Sequence, residues 1–194
     1  MVQHRKTKTG EKIRAALSKL LLQKGFDNLT VSDITREAGI NRGTFYAHYT
    51  DKFDLVEKET DAIIAELSTL LLNPAHDVPG PDELFSRQNV LDALRYVRLN
   101  RELIDALTDR GRNTVLQDRF KGILAQMIEG QIAHYPELTL SYHGLPEVYG
   151  REILLSSTTG VIWLWLRRGC QESPEELSRI VFASKNLSPT ELLA

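Results

Sequence analysis

The sequence has few of the features that stabilise secreted or membrane-spanning proteins. Its single cysteine, Cys170, excludes an internal disulfide and a zinc site built from several cysteines. The longest uncharged stretch in an apolar region, 153–166, has 14 residues and is shorter than a membrane-spanning helix requires. The basic segment 1–12 is not followed by the unbroken apolar core of a secretory signal. We therefore expect a cytoplasmic protein with no membrane span.

Motifs of the common catalytic and cofactor sites are also missing. The sequence contains no glycine-rich phosphate loop, no His-Glu-x-x-His zinc helix, no nucleophile elbow and no cysteine with evident catalytic partners. A metal site could be built from His134 and His143, but histidines in solvated loops are the more common interpretation. We expect no enzymatic activity, no cofactor and no metal.

The composition is that of a folded protein with an uneven charge distribution. Of 194 residues, 42% are hydrophobic and 26% charged, close to the globular average, and the length suits one domain or a small domain plus a larger one. The net charge is -2, yet residues 1–52 contain ten Lys and Arg against five Asp and Glu, and the remainder contains 14 against 21. Basic side chains bind a polyanion by releasing its counterions, so segment 1–52 suits nucleic acid. Charge alone is equally compatible with a solvated basic tail.

Apolar spacing and capping residues predict two helices in this basic segment. The first covers about 10–24 and ends at Gly25, whose missing side chain suits a left-handed stop. The second begins at Thr30, which caps it with Asp33 in a capping box, and ends at Gly39. The apolar stripe of the first helix consists of Ile13, Leu17, Leu20 and Leu21.

A third short helix is predicted over about 42–48, with Asn41 as its cap. Two short helices joined by a turn of three or four residues have the spacing of a helix-turn-helix, whose second helix enters the DNA major groove. At about 100° per residue, Phe45 and Tyr49 share the inward face of this helix. The outward face is slim and polar, and consists of Gly43, Thr44, Tyr46 and Ala47.

The outward side chains have the chemistry for DNA recognition. Gly43 permits a close backbone approach, and the guanidinium fork of Arg42 matches guanine O6 and N7. Donors suited to phosphate oxygens are Thr44, Tyr46, His48 and, in the first turn of a fourth helix capped by Asp51, Lys52. Taken singly, Tyr46 also fits a half-buried packing residue and His48 an ordinary surface histidine. Their combination favours DNA binding.

Residues 30–52 read TVSDITREAGINRGTFYAHYTDK. This run resembles the DNA-binding signature of the tetracycline-repressor (TetR) family of bacterial transcriptional regulators, and the resemblance covers about residues 8–60. It departs from the family pattern in small ways, because Asn41 replaces the commoner serine and Thr50 occupies a variable position. The resemblance implies a DNA-binding helix-turn-helix domain over 1–52 and a helical effector-binding and dimerisation domain over 53–194.

The resemblance also implies roles for individual residues. Thr30 and the start of the second helix would contact the phosphate backbone, and Arg42 and Gly43 would lie nearest to the base edges. A homodimer would bind a near-palindromic operator in double-stranded DNA, and an unidentified small-molecule effector would release it. The remaining phosphate contacts implied are Thr44, Tyr46, His48 and Lys52.

The rest of the sequence predicts more helices, so we expect an all-α fold. The fourth helix, about 52–72, connects the two domains, and three prolines and a glycine then break the chain within 73–81. Pro146 and Pro174 occupy helix-start positions, and Ser173 begins a second capping box. The later helices are predicted near 83–98, 101–109, 113–134, 146–168 and 174–184.

Residues 161–166 are apolar on every side of a helix, so the core of one subunit does not account for all of them. Small residues at 156–160 would let two helices approach closely, which favours a homodimer through the helices near 146–168 and 174–184. A helix sunk entirely in a monomeric core is the alternative. The candidate interface residues are Val161, Ile162, Trp165 and Leu166.

No motif identifies the effector. Five side chains are candidates for lining an apolar cavity, although each is more often ordinary core packing: Tyr96, Phe120, Met127, Tyr149 and Trp163. Three arginines would face an acidic ligand or belong to a solvated helix face: Arg95, Arg98 and Arg101. The function predicted is a sequence-specific repressor released by a small molecule. The alternative is a helical protein–protein interaction module whose basic start binds an acidic partner.

Overall fold

The structure is a computed structural model that describes residues 8–73, 85–108, 114–135 and 146–184. All its regular elements within these ranges are α helices, which confirms the predicted all-α fold. In chain order they are α1 (Lys8–Lys24), α2 (Val31–Ala38), α3 (Arg42–Tyr46), α4 (Lys52–Leu71), α5 (Arg87–Leu99), α6 (Arg101–Leu107), α7 (Val115–His134), α8 (Glu147–Arg167) and α9 (Pro174–Ser184).

The described residues form two compact units. The first comprises 8–65 together with 102–108 and 114–116, and the second comprises 66–73, 85–101, 117–135 and 146–184. Helix α4 contributes residues to both units. The functional division at residue 52 stays a prediction, because compactness does not test which residues bind DNA.

The first unit is built around α1, which packs on α2, and α2 in turn packs on α3. Each helix buries an apolar side chain completely: Ile13 in α1, Ile34 in α2, Phe45 in α3 and Leu55 in α4. Burial of one such side chain contributes about 1.5–3 kcal/mol. Helix α1 ends as predicted, because Gly25 has φ 73° and its N–H donates to the Leu21 carbonyl at 2.9 Å.

In the second unit, α9 packs against both α5 and α8. Trp165 of α8 is only 2% exposed, and its indole N–H donates to the Glu172 carbonyl at 3.0 Å. The predicted capping box of α9 is confirmed. The Ser173 N–H donates to the Glu176 carboxylate at 2.8 Å, and the Glu176 N–H donates to the Ser173 hydroxyl at 3.2 Å.

Two helix bounds differ from the prediction. Helix α3 ends at Tyr46 rather than near 48, and in the turn that follows the N–H groups of both His48 and Tyr49 donate to the Phe45 carbonyl at 2.9 Å. Helix α5 begins at Arg87 rather than near 83, since Ser86 is extended and its hydroxyl accepts the Asn89 N–H. Apart from Asn73, the predicted break at 73–81 lies outside the described residues.

None of the helices in the described ranges is both long and apolar enough to cross a membrane.

Candidate nucleic-acid interface

The amino end of α2 is held by the capping box that the sequence predicts. Thr30 is extended, and its hydroxyl oxygen accepts the Asp33 N–H at 3.2 Å. The Asp33 carboxylate accepts both the Thr30 N–H at 3.1 Å and the Thr30 hydroxyl at 2.6 Å. Both donors of Thr30 are therefore bonded within the protein.

Asp33 joins this cap to neighbouring basic side chains. Its carboxylate also accepts the ammonium of Lys24 at the end of α1, and the guanidinium of Arg36 at 2.7 Å. The hydrogen bond from Lys24, followed by that from the Thr30 hydroxyl, holds the pKa of Asp33 far below its usual range. Sequence reasoning found the cap but missed the Lys24 contact, because capping patterns reveal only near neighbours.

The turn between α2 and α3 depends on a left-handed glycine and a second cap. Gly39 has φ 63°, and its N–H donates to the Arg36 carbonyl at 3.3 Å. Asn41 then caps α3, since its Oδ1 accepts the Thr44 N–H at 2.7 Å and the Thr44 hydroxyl at 3.0 Å. The helix-turn-helix predicted from the sequence is confirmed.

Helix α3 has an inward and an outward face, as its periodicity predicts. Phe45 and Tyr49 are buried, with their ring centroids 5.6 Å apart. On the opposite face Tyr46 is 50% exposed, and Thr44 is half-buried. The exposed positions around it are Arg42, Gly43, Ala47 and His48. The structure thus presents a polar surface of α3 to solvent.

Two features of this surface were not predicted. The Arg42 guanidinium donates to the Tyr46 hydroxyl at 3.4 Å and its Cζ lies 6.0 Å from the Tyr46 ring centroid, so the tyrosine orients the arginine. A Cβ added to Gly43 would lie 3.3 Å from Asn41 Oδ1. Glycine at this position therefore also leaves room for the cap of α3.

Lys52 differs from its prediction as a donor for phosphate. Its ammonium donates to the carbonyls of Phe26 at 3.0 Å, Leu29 at 2.9 Å and Asp27 at 3.3 Å, and lies 4.6 Å from the Phe26 ring centroid. An ammonium has three protons, so these bonds take up its donors. In this structure Lys52 connects the start of α4 to the α1–α2 loop, a pairing across more than 20 residues that local patterns do not reveal.

Three of the four α8 residues predicted at a dimer interface contribute to the core of the chain itself. Ile162, Trp165 and Leu166 are buried within the chain, while Val161 is half-buried. An apolar pattern on every side of a helix does not show which side the chain itself covers. The exposed apolar side chains of α8 are Val148, Tyr149, Ile153 and Leu164.

The five predicted ligand residues do not line one cavity. Phe120 lines a cavity of about 20 Å³ in the second unit, but the other four candidates are not part of its wall. Tyr149 is 62% exposed, Met127 is buried, and Trp163 packs edge-on against Phe120 with centroids 6.2 Å apart. The fourth, Tyr96, is half-buried on α5.

The predicted arginine face carries internal contacts. The Arg95 guanidinium pairs with Glu175 at 2.8 Å and Asp92 at 3.3 Å, and Arg101 donates to the Gly169 carbonyl at 3.2 Å. Arg98 is exposed. Within the described part of the chain, no three His, Cys, Asp or Glu side chains are grouped so that they could hold a metal ion.

The fold and the exposed α3 surface define a helix-turn-helix protein. Residues 13–58 match the family described as bacterial regulatory proteins, tetR family, and residues 86–185 match the family described as transcriptional regulator C-terminal region. The chain belongs to the TetR family of bacterial transcriptional regulators. These regulators bind DNA, are in general not enzymes, and typically act as dimers with small-molecule ligands.

Individual relatives are distant. The chain is 24% identical over 170 residues to the uncharacterized HTH-type transcriptional regulator YxbF of Bacillus subtilis (strain 168), covering 88% of this chain but only 43% of that protein. A TetR transcriptional regulator from Streptococcus agalactiae 2603V has the same fold, with a TM-score of 0.62, 21% identity and coverage of 91% and 93% of the two chains. The fatty acid degradation regulator FadR from Bacillus halodurans is similar, with a TM-score of 0.61, 18% identity and coverage of 92% and 95%.

We predict that the bonds to Asp33 make the first unit sensitive to acid. Because folding lowers the pKa of Asp33, its contribution to stability is complete above the unfolded-state pKa of about 3.9 and is lost as the pH falls further. Asp33→Asn should therefore lower the free energy of unfolding at pH 7. Its difference from wild type should shrink below about pH 4. Urea denaturation at a series of pH values measures both.

Glu57→Gln is the matched control, because it removes one negative charge from an exposed position of α4 without touching the α2 cap. An Asp33→Asn deficit that stayed constant down to pH 2 would contradict this account of the cap.

Proposed function

We propose that this chain is a transcriptional repressor that binds a near-palindromic DNA operator as a homodimer and is released by a small apolar effector. The observation that carries the proposal is the solvent-facing side of α3, held outward by the burial of Phe45 and Tyr49. A slim polar helix face fits the major groove. Family membership supports regulation through DNA binding. The operator, the effector and the repressor role are our proposal beyond it.

Within the proposed interface, some residues are exposed and can contact DNA, whereas others already donate hydrogen bonds within the protein. Arg42 is exposed and suited to guanine, and Gly43 allows the backbone to approach the bases. Tyr46 and His48 lie on the same exposed surface and suit phosphate. Thr30, Thr44 and Lys52 donate within the protein, so we propose that the two threonines help by fixing the helix ends and Lys52 by fixing the start of α4.

Replacement of Arg42 and of Lys52 tests whether the first residue contacts DNA and the second stabilises the fold. Arg42→Ala should reduce the preference for the best-bound duplex by about 1–3 kcal/mol relative to a scrambled one, because a base contact is lost. Lys52→Ala should instead lower the free energy of unfolding. The best-bound duplex is first enriched from a random library. Fluorescence anisotropy then measures the preference for this duplex, and urea denaturation measures the free energy of unfolding.

Arg179→Ala is the control for charge, since Arg179 is an exposed arginine of α9. Unchanged sequence preference in Arg42→Ala would remove Arg42 from the interface. The absence of any sequence preference in the wild-type chain would overturn the proposed function itself.

The exposed side of α8 supports the proposed homodimer. Tyr149, Ile153 and Leu164 are exposed apolar residues on one side of α8, with exposed Ser157 and Gly160 between them. A contiguous apolar patch is uncommon on a monomer, and a second copy of the same helix would be self-complementary to it. We therefore place the proposed interface on this stripe, which replaces the buried residues predicted from the sequence.

A single charge on this stripe should prevent association. Leu164 is 51% exposed, and in Leu164→Lys a buried ammonium at the interface should convert the dimer to a monomer at micromolar concentration. Sedimentation velocity measures the change. Leu99→Lys is the matched control, because Leu99 is 86% exposed on α5 and lies outside the stripe. If both variants sediment like wild type, α8 is not the interface.

The cavity in the second unit supports an uncharged effector. Its wall is formed by apolar side chains of α4, α5, α7, α8 and α9 together with Thr158. At about 20 Å³ it has room for one water molecule, but such a wall offers too few hydrogen-bond partners to hold one. A larger apolar molecule would enter by displacing side chains. Leu71 at the cavity and Lys58 near the end of α3 are both residues of α4, which provides a continuous helical path for an effect on DNA.

Benzene and benzoate distinguish an apolar effector site from a charged one. Benzene should raise the melting temperature of the wild-type chain and weaken its binding to the enriched duplex, because apolar cavities bind such guests. Ala93→Leu, which fills the cavity from α5, should abolish both effects. A response to benzoate equal to that of benzene, or an undiminished benzene response in Ala93→Leu, would contradict the apolar site.

A further inference from the structure

Glu59 is a charged side chain in the core of the first unit. It lies in the middle of α4 and is only 6% exposed. A carboxylate buried in this way strongly destabilises a fold unless it is paired. An apolar residue would pack at this position without that cost, so the partners of Glu59 indicate what it does.

Glu59 binds two different elements. Its Oε2 accepts the Arg14 guanidinium of α1 at 2.7 Å, and its Oε1 accepts the Tyr49 hydroxyl at 3.3 Å. Burial, together with the nearby Glu59 charge, raises the pKa of Tyr49 to about 12, so the hydroxyl remains a donor at neutral pH. Tyr49 lies three residues after the end of α3 and packs on Phe45, the inward anchor of that helix.

Two neighbouring residues of α4 hold the residues on either side of Tyr49. The Lys58 ammonium donates to the His48 carbonyl at 3.2 Å and lies 5.5 Å from the Tyr49 ring centroid. The Asp54 carboxylate accepts the Thr50 N–H at 2.7 Å and the Lys58 ammonium at 3.0 Å. Three residues of α4 thus bind three consecutive residues, 48–50, in the segment between α3 and α4. We call these three residues of α4 the α4 clamp: Asp54, Lys58 and Glu59.

The α4 clamp restrains the orientation of the segment that follows α3 as well as its distance from α4. Apolar packing of Phe45 is not directional. The hydrogen bonds of α4 to a carbonyl, a hydroxyl and an N–H of residues 48–50 are directional and restrain the segment that leaves α3. Helix α3 has five residues and cannot set its own orientation through internal bonds.

We propose that the α4 clamp is a positioning device that sets the orientation of the α3 reading face and thereby its discrimination between DNA sequences. The proposal rests on the proposed function, since it concerns the same interface. The clamp residues do not touch DNA in this scheme. They act through the position of α3.

The test compares discrimination with general affinity. Tyr49→Phe keeps the ring and removes the hydroxyl, Lys58→Met keeps most of the side-chain length, and Glu59→Gln removes the charge. Each should reduce the ratio of affinities for the enriched and scrambled duplexes by about tenfold, because misplaced base contacts lose their hydrogen bonds. Affinity for the scrambled duplex and its salt dependence should stay within about twofold, because phosphate contacts are less directional.

A double-mutant cycle separates positioning from general stability. Tyr49→Phe should lower discrimination less in the Glu59→Gln background than in wild type, because the neutral amide introduced at position 59 weakens the hydrogen bond that Tyr49→Phe removes. Lys19→Ala is the control, since it breaks the exposed ion pair with Glu37 in the same unit without touching the clamp. Circular dichroism identifies any variant that fails to fold. If Glu59→Gln fails to fold, the result for Tyr49→Phe, which removes only one hydroxyl, decides whether the clamp positions α3.

The two proposals fail in different ways. If the wild-type chain shows no sequence preference, the proposed function is wrong. If the wild type discriminates and the folded clamp variants discriminate equally well, or lose affinity for both duplexes in parallel, the positioning role is wrong and the proposed function stands.

Discussion

Helix α3 has five residues, too few for its own hydrogen bonds to outweigh the cost of starting a helix. Everything that keeps it helical and outward-facing comes from residues around it. Asn41 caps its amino end, and Phe45 ties it to the core of the first unit. The residues that follow it are bonded to α4. The surface proposed to read DNA is therefore a product of the packing beneath it.

That constraint explains how the polar side chains of the helix-turn-helix are used. A donor bonded to a carboxylate or carbonyl inside the fold is unavailable to phosphate unless an existing bond is exchanged. The hydroxyls of Thr30 and Thr44 and the ammonium of Lys52 are bonded in this way. The exposed donors are concentrated around Arg42 and Tyr46. The proposed recognition of DNA then rests on a small number of accurately placed side chains.

In the second unit, helix α8 likewise has a buried side and an exposed side. One side of this helix supplies the core, where Trp165 packs and bonds to Glu172, and Leu164 beside it points to solvent. Adjacent residues of a helix are about 100° apart, so a helix that is apolar all round serves two environments. The cavity wall and the proposed dimer stripe are consequently on different sides of a single helix.

Local signals were sufficient for much of the fold. The caps at Thr30, Asn41 and Ser173, and the left-handed stop at Gly39, each involve residues within four positions of one another, so the sequence alone contains the whole interaction. The family signature likewise lies in one continuous run. The exposed face of α3 followed from its periodicity.

Other features depended on partners far along the chain. Lys52 bonds to the α1–α2 loop, and Glu59 bonds to Arg14, 45 positions away. No periodicity or spacing in the sequence indicates either of these contacts. The sequence by itself determined the helices, their caps and the exposed polar face of α3, because these rest on contacts between near neighbours. The tertiary structure decided which donors stay exposed and which side of α8 is exposed, because burial and long-range bonding depend on elements brought together only by folding.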